Sequence, residues 1–371
     1  MKSRKHLWVC LRAYMTARAK KSAALYFVIH FMLEVVCFFM LYSVVGDIKT
    51  IAAVMTVYNG VAFIPQMFFG TLRDLFDKFH PGIIGVPLLF GGFLIYFVFD
   101  ATGFLFWISL ILLCTGNALL HISGAELTIR TSGGKLSPVA IYVSGGAFGV
   151  ITGQLLSAET DLSFWWIALL GVIMFPLVIY GETLYKDNSV ENDFCDDYNF
   201  TTSKTVTGVV IAVAFLIVMV RTYLGYAIPT SWNTTVVETI LLYVSMGVGK
   251  ALGGVLSDAI GLRKTAFISI IGALPFLILG DQIMIISLLG IMFFSMTMPI
   301  TVGMLVSVMK IAPGAAFGVT TIAIFFGSVM ATAFKADGFL QNCMIIVIAS
   351  AICFLFAHYV LVPEKEEKEN A

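Results

Sequence analysis

Long apolar runs separated by short polar breaks fill most of the chain, and twelve of them reach the length of a bilayer crossing. They cover 22–46, 51–70, 82–100, 103–124, 137–158, 162–183, 204–227, 234–256, 265–280, 282–309, 313–334 and 339–362. A helix needs roughly 20 apolar residues to cross the hydrocarbon core. One polar stretch is longer than the other breaks. It runs from Tyr185 to Ser203, carries Asp187, Glu191, Asp193, Asp196 and Asp197, and falls after the sixth run. The pattern predicts an all-α integral membrane protein of twelve transmembrane helices in two six-helix bundles, 22–184 and 204–362. An acidic cytoplasmic linker, 185–203, joins them. A basic segment, 1–21, precedes the first bundle, and a charged cytoplasmic tail, 363–371, follows the second.

Composition closes off the soluble alternatives. Hydrophobic residues make up 59% of the 371 positions and charged residues only 12%, against about 25% charged in soluble domains. Bilayer is the natural solvent for such a chain. Net charge is zero, so nothing draws it to nucleic acid. The six cysteines are scattered, which predicts neither disulfides nor a metal site. There is no phosphate-cradling Gly-Lys-Ser/Thr loop and no catalytic cluster, so the reading is a non-enzyme without cofactor. The first 21 residues carry seven cations and no acid, with Leu7, Leu11 and Tyr14 on one stripe. That fits an interfacial segment lying near anionic headgroups.

Lys and Arg set the orientation. With the N-terminus inside, 18 of the 22 cations fall on the cytoplasmic side. Only Lys49 and Lys335 fall outside, and Arg221 and Lys250 lie within spans. An even number of spans then places both termini in the cytoplasm of a multi-pass plasma (inner) membrane protein.

Two breaks, half a chain-length apart, read almost alike: Gly70-Thr71-Leu72-Arg73-Asp74 and Gly254-Val255-Leu256-Ser257-Asp258, each followed by cations. Repeated halves of this kind are a secondary-transporter architecture. The second copy, Gly254-x-x-x-Asp258-x-x-Gly261-x-Arg263-Lys264, resembles the loop between the second and third helices of each half in the major facilitator superfamily. The first copy, Gly70-x-x-x-Asp74-x-x-Asp77-Lys78, is similar, with Asp77 where the family has Gly. The resemblance spans essentially the whole chain and implies two pseudo-symmetric bundles latched on the cytoplasmic side. By position it implies gate roles for Gly70, Asp74, Lys78, Gly254, Asp258, Gly261, Arg263 and Lys264, with Asp74 matched to Lys78 and Asp258 to Arg263. A narrower resemblance, to fosmidomycin-resistance-type exporters, is carried by Ala118-Leu119-Leu120-His121, Gly133-Gly134-Lys135 and Tyr142 through Gly149. Ile122 stands there in place of Pro. Gly145, Gly149 and Gly153 form a small-residue stripe on which a neighbouring helix packs closely.

Candidate chemistry lies in the ionisable residues inside spans, which cost about 2.5–3.5 kcal/mol to insert and so face protein or water. Glu34 sits mid-span with His30 one turn earlier on the same face. Arg221 sits in span seven, the counterpart of span one, and Lys250 in span eight. Spans one and seven line the central cavity in the resembled family, which predicts that Glu34 and Arg221 face each other there. Tyr58, Asn59, Asn117 and Tyr243 are candidate cavity lining; His121 and His358 read as structural. Pro65, Pro176, Pro275 and Pro299 mark expected bends.

These features predict a secondary active transporter that moves a small organic solute, anionic or zwitterionic, by alternating access coupled to protons. Glu34, Arg221, His30 and Lys250 would carry substrate or proton. Its partners would be lipid, solute and protons, with no nucleic acid, and the protein would act as a monomer. Two alternatives stand beside this: a facilitative or exchange carrier with a static Glu34–Arg221 pair, and a non-transporting receptor or assembly protein that docks partners through 1–21 or the linker.

Overall fold

In the computed structural model, residues 15–44, 48–158, 162–185, 207–227, 230–280, 283–334 and 339–361 are described. The segments 1–14 and 186–206, which hold most of the expected interfacial segment and the acidic linker, lie outside them, as does the tail beyond 361. The described residues form fourteen helical segments, numbered here α1 to α14. They are α1 Ala17–Ser43, α2 Ile48–Phe63, α3 Gln66–Leu75, α4 Pro81–Val98, α5 Gly103–Arg130, α6 Ser137–Ala158 and α7 Phe164–Tyr185. The remainder are α8 Thr207–Ala227, α9 Val236–Ile260, α10 Leu262–Leu279, α11 Met284–Ser295, α12 Thr297–Val308, α13 Pro313–Ala333 and α14 Phe339–Val360. Ten stretches are long and apolar enough to cross a membrane, with Met284–Val308 counted as one.

The segments outnumber the twelve predicted spans because two spans break, each beside a proline. Span two divides at Pro65, which supplies no N–H to the carbonyl one turn back. Span ten divides at Met296, three residues before Pro299, whose missing N–H would have bonded Ser295. Pro176 and Pro275 instead sit inside the unbroken helices α7 and α10. The first helix begins earlier than its hydropathy suggests. Thr16 caps it by accepting from the Ala19 N–H at 3.1 Å, and the Arg18 guanidinium donates to the Leu184 carbonyl of α7.

Packing repeats across the two halves of the chain. In the first, α1 lies on α6, α4 on α5, and α7 on both α1 and α4; in the second, α8 lies on α13, α10 on α11, and α14 on both α8 and α10. Contacts between the halves run mainly through α3 with α13 and α6 with α9. The stripe on α6 explains its closest neighbour. A Cβ at Gly145, Gly149 or Gly153 would meet the carbonyl oxygens of Phe27, Phe31 and Val35, so α1 rests directly on the α6 backbone. Arg73, Asp74, Arg130, Arg263 and Lys264 gather at one end of the bundle, called the basic face below.

Candidate functional site

Two regions concentrate polar chemistry, one inside the first half and one at the basic face. The first is built on α1 and α5. His30 and Glu34, one turn apart on α1, meet His121 of α5: the His121 Nε2 lies 3.4 Å from Glu34 Oε1 and the His30 Nε2 3.7 Å from it. All three side chains are buried. Asn117, one turn before His121, directs its Nδ2 to Glu34 Oε1 at 3.5 Å, to Cys37 Sγ at 3.3 Å and to the Tyr58 hydroxyl at 3.1 Å.

The other ring nitrogens are committed to backbone. His30 Nδ1 lies 2.9 Å from the Tyr142 carbonyl, and His121 Nδ1 lies 3.0 Å from the Asn117 carbonyl. A carbonyl only accepts, so each Nδ1 carries a proton and donates. In the neutral rings both Nε2 atoms then present lone pairs towards the same carboxylate. Three acceptors therefore converge, and a cation or a proton is what such a set holds. Tyr142 also ties the cluster to the other half: its hydroxyl donates to the His121 carbonyl at 2.9 Å, and its ring lies 6.3 Å from that of Phe317 on α13.

This geometry redraws the central site expected from sequence. Among the described residues Glu34 pairs with the two histidines and not with Arg221. Arg221 of α8 points into the interior of the second half. It lines a cavity of about 10 Å³ with Ile217, Leu224, Ile270, Thr297 and Cys353, room for about one water, and its Nε has no hydrogen-bond partner. Lys250 of α9 is half-buried and within electrostatic range of both Arg221 and Glu34. His121, expected to be structural, belongs to the cluster. Of the candidate lining residues, Tyr58 and Asn117 join it. Tyr243 accepts instead from Gln154 Nε2 of α6 at 3.1 Å, and Asn59 is half-buried outside the cluster.

At the basic face the two repeated loops make matching cross-half contacts, here called clasps. Asp74 accepts from the N–H groups of Gly314 and Ala315 at 3.1 and 2.8 Å, at the start of α13. Asp258 accepts from the N–H groups of Leu136 and Ser137, both at 2.8 Å, and from the Ser137 hydroxyl, at the start of α6. The first four N–H groups of a helix lack partners within it. The residue before α13 is Ala312, which makes no side-chain cap bond, and the one before α6 is Leu136. Neither supplies a cap, so each helix start takes one from the opposite half.

The glycine one turn before each aspartate makes room for this approach. A Cβ at Gly70 would run into the Gly314 backbone, and one at Gly254 would strike the Ala140 Cβ. Gly261 turns the chain from α9 into α10 at φ 91°, a conformation that favours glycine.

The expected cationic partners are not the ones used. Lys78 is exposed, and the side chain that reaches Asp74 is Arg130, at 3.3 Å. Arg263 meets His358 Nδ1 at 3.0 Å and lies over the Phe267 ring instead of pairing with Asp258. Lys264 is exposed on α10.

Sequence reasoning also missed the buried ion network behind the first clasp. Arg73 Nε donates to Glu126 at 2.9 Å, its Nη2 lies 3.7 Å from Glu182, and its Nη1 donates to the carbonyls of Asp77 and Phe79. His80 Nδ1 lies 2.9 Å from Glu182, and Arg130 bridges Glu126 to Asp74. Asp77, which breaks the family pattern, thus serves through its backbone.

No family model and no curated protein matches the chain. Solved structures do. The human organic anion transporter MFSD10 (TETRAN) superposes with a TM-score of 0.67 at 12% identity, over 93% of this chain and 100% of that one. The E. coli fucose:proton symporter FucP superposes with a TM-score of 0.62 at 13% identity, over 91% of this chain and 98% of that one. FucP in its outward conformation gives a TM-score of 0.58 at 15% identity over the same shares. Two repeated halves, clasped through paired Gly-x-x-x-Asp loops and superposing over nine-tenths of their length on these structures, have the fold of the major facilitator superfamily transporters.

Proposed function

We propose that the protein is a proton-coupled secondary active transporter that moves a small organic solute, anionic or zwitterionic, by alternating access. The observation that carries this reading is the buried Glu34 carboxylate between two imidazoles whose Nδ1 protons are already committed. An uncompensated carboxylate at that depth is costly, and one shared proton among the three groups removes the cost. Loading and release of that proton change the charge of α1 and α5 by one unit. Tyr142 supplies the mechanical link. It holds His30 through its carbonyl and leans on Phe317 of the opposite half, so rocking of that half reaches the proton site.

The clasps define the other end of the cycle. With the basic face cytoplasmic, as the Lys and Arg distribution requires, Asp74 and Asp258 seal the inner side and favour an outward-facing state. Opening inward exposes four helix-start N–H groups and two aspartates. The solute class follows from charge. Among the described residues Arg221 and Lys250 pair with no acid, which favours an anionic group on the solute. One fold neighbour is a proton symporter and another an organic anion transporter, in line with this reading. Glu34 lies beside His30 and His121 rather than Arg221, which counts against the alternative of a carrier with a static Glu34–Arg221 pair.

A thermal-shift screen of purified protein across organic anions and zwitterions selects a ligand, since binding to the native state raises its stability by mass action. That ligand is then offered to liposomes containing protein and an internal pH dye. Wild type is expected to acidify or alkalinise the lumen with solute movement, and Glu34→Gln to lose proton movement while keeping the ligand-induced thermal shift. Wild-type proton flux in Glu34→Gln liposomes would sink the assignment.

A further inference from the structure

We propose that His30, Glu34 and His121 form a site for a divalent transition-metal ion of the zinc class, held by the two Nε2 atoms and a Glu34 carboxylate oxygen. The donor set is two neutral imidazoles and one carboxylate, which suits borderline ions such as Zn²⁺ and Co²⁺. The spacing fits. Bonds of 2.0–2.2 Å in tetrahedral geometry put ligand atoms about 3.3–3.6 Å apart, and the two imidazole-to-carboxylate separations are 3.4 and 3.7 Å. The three ligand atoms all lie within 4.8 Å of one another. The rings are held at 78° to each other with centroids 4.6 Å apart, so both imidazoles reach a common point without stacking.

The surroundings meet the second requirement of a metal site. A ligating histidine almost always donates its other N–H to a carbonyl or carboxylate, which fixes tautomer and orientation. Both histidines do so here, through the Tyr142 and Asn117 carbonyls. Asn117 Nδ2 steadies the carboxylate from the side. Gly146 stands directly beside the His30 Nε2, where a Cβ would crowd it, and leaves space at the ligand atom. The three residues retain 6–7% exposure, so the cluster is not sealed.

This inference adds a second occupant to the site assigned above to a proton, and it rests on the tautomers, not on transport. The ion needs both Nε2 atoms and the carboxylate free of protons, so ion and proton exclude each other at this site. The test uses Co²⁺ with the purified, chelator-treated full chain in detergent. Wild type is expected to bind one equivalent, with the visible absorption of low-coordinate cobalt, and to release about one proton. His121→Gln is expected to weaken binding by more than the about 10–100-fold loss typical of an outer-shell change, whereas His358→Gln leaves it intact. X-ray absorption of the Zn²⁺-loaded wild type needs no variant and is expected to show two imidazoles and oxygen. No stoichiometric Co²⁺ binding, equal binding in His121→Gln, or sulfur ligation by Cys37 would each overturn the proposal. Proton coupling, measured in liposomes with chelator, succeeds or fails independently of that result.

Discussion

Asp74 and Asp258 close the basic face in the same way, yet a buried network of ion pairs stands behind the first. Each is the last residue of a Gly-x-x-x-Asp unit and caps a helix start in the opposite half. Behind Asp74 stand Arg130, Glu126, Arg73, Glu182 and His80, a chain of ion pairs running from α5 through α3 to α7. Asp258 is half-buried, accepts from the Ser137 hydroxyl, and has Lys135 as its nearby cation. The lesson is one of division of labour. The second clasp joins helix-start N–H groups and a hydroxyl beside one lysine, and the first is continuous with a buried network of ion pairs in its own half.

The largest expected effect comes from removing the centre of that network. Arg73 is 2% exposed, Glu126 1% and Glu182 3%, so no solvent screens the loss. Arg73→Ala takes one cationic partner from each of two buried carboxylates, leaving Glu126 with Arg130 and Glu182 with His80, and breaking a buried pair from one side costs about 3–5 kcal/mol. Thermal unfolding in detergent is expected to show that loss, or a failure to recover folded protein. Arg263→Ala, which removes a contact with exposed His358 and one with the half-buried Phe267 ring, is expected to change the midpoint little. Equal midpoints for the two variants would remove the asymmetry between the clasps.

The clasps themselves come next. Asp74→Ala strips the α13 start of its cap and frees Arg130 from one partner, and hydrogen bonds to a charged group contribute about 1.5–3 kcal/mol each. A bias of about 2–3 kcal/mol against the closed basic face is expected. Asp258→Ala is expected to shift it by about 1–2 kcal/mol, since Ser137 remains to compensate. Spin labels at Leu75 and Ile311, exposed on either side of the first clasp, read the separation directly. A larger opening in Asp258→Ala than in Asp74→Ala would reverse the comparison.

The glycines sharpen it further. Gly70→Ala meets backbone atoms of Gly314, which have no side chain left to trim. Gly254→Ala meets chiefly the Ala140 Cβ. Each is expected to cost about 1–3 kcal/mol of the closed state by overpacking. Only the second is expected to be rescued by a compensating change, Ala140→Gly, with the same spin-label distances restored.

These features differ in how far the sequence reveals them, and the reasons are physical. Span count and paired loops are local properties: apolar length is dictated by bilayer thickness, and Gly-x-x-x-Asp places both residues on one helical face. His30 and Glu34 were visible for the same reason. His121 was not, because its partner lies on another helix and only packing brings α1 and α5 together. Arg221 lies among second-half residues and not opposite Glu34 as expected, because α8 is apolar nearly all round and no polar stripe shows which face meets the other half. Glu126 and Glu182 lie near helix ends, where an acid reads as solvated. Glu126 also falls past the predicted end of its span, which the helix overruns to Arg130. The break at Met296 has a signal in Pro299, but proline also sits in unbroken α7 and α10, so residue type alone does not separate a kink from a stop.

The smallest expected effect tests why the clasps exist at all. A helix with its own N-cap has little use for an aspartate borrowed from the opposite half, and α13 begins after Ala312, which has no side-chain oxygen to offer. Ala312→Ser supplies one. Its hydroxyl accepts from the N–H groups two or three residues on, which include the two that now donate to Asp74. Exchanging alanine for serine at a cap is worth about 1 kcal/mol to the helix, and here that gain appears in the open state, where the N–H groups would otherwise face water. The closed state, with Asp74 already in place, gains little. Ala312→Ser is therefore expected to raise thermal stability slightly while loosening the first clasp by up to about 1 kcal/mol, seen as a longer-distance population between labels at Leu75 and Ile311. In an Asp74→Ala background the same substitution has no clasp left to compete with, and its effect on that distance is expected to vanish. An undiminished effect there would mean that α13 is not capped across the interface in the way its N–H groups indicate.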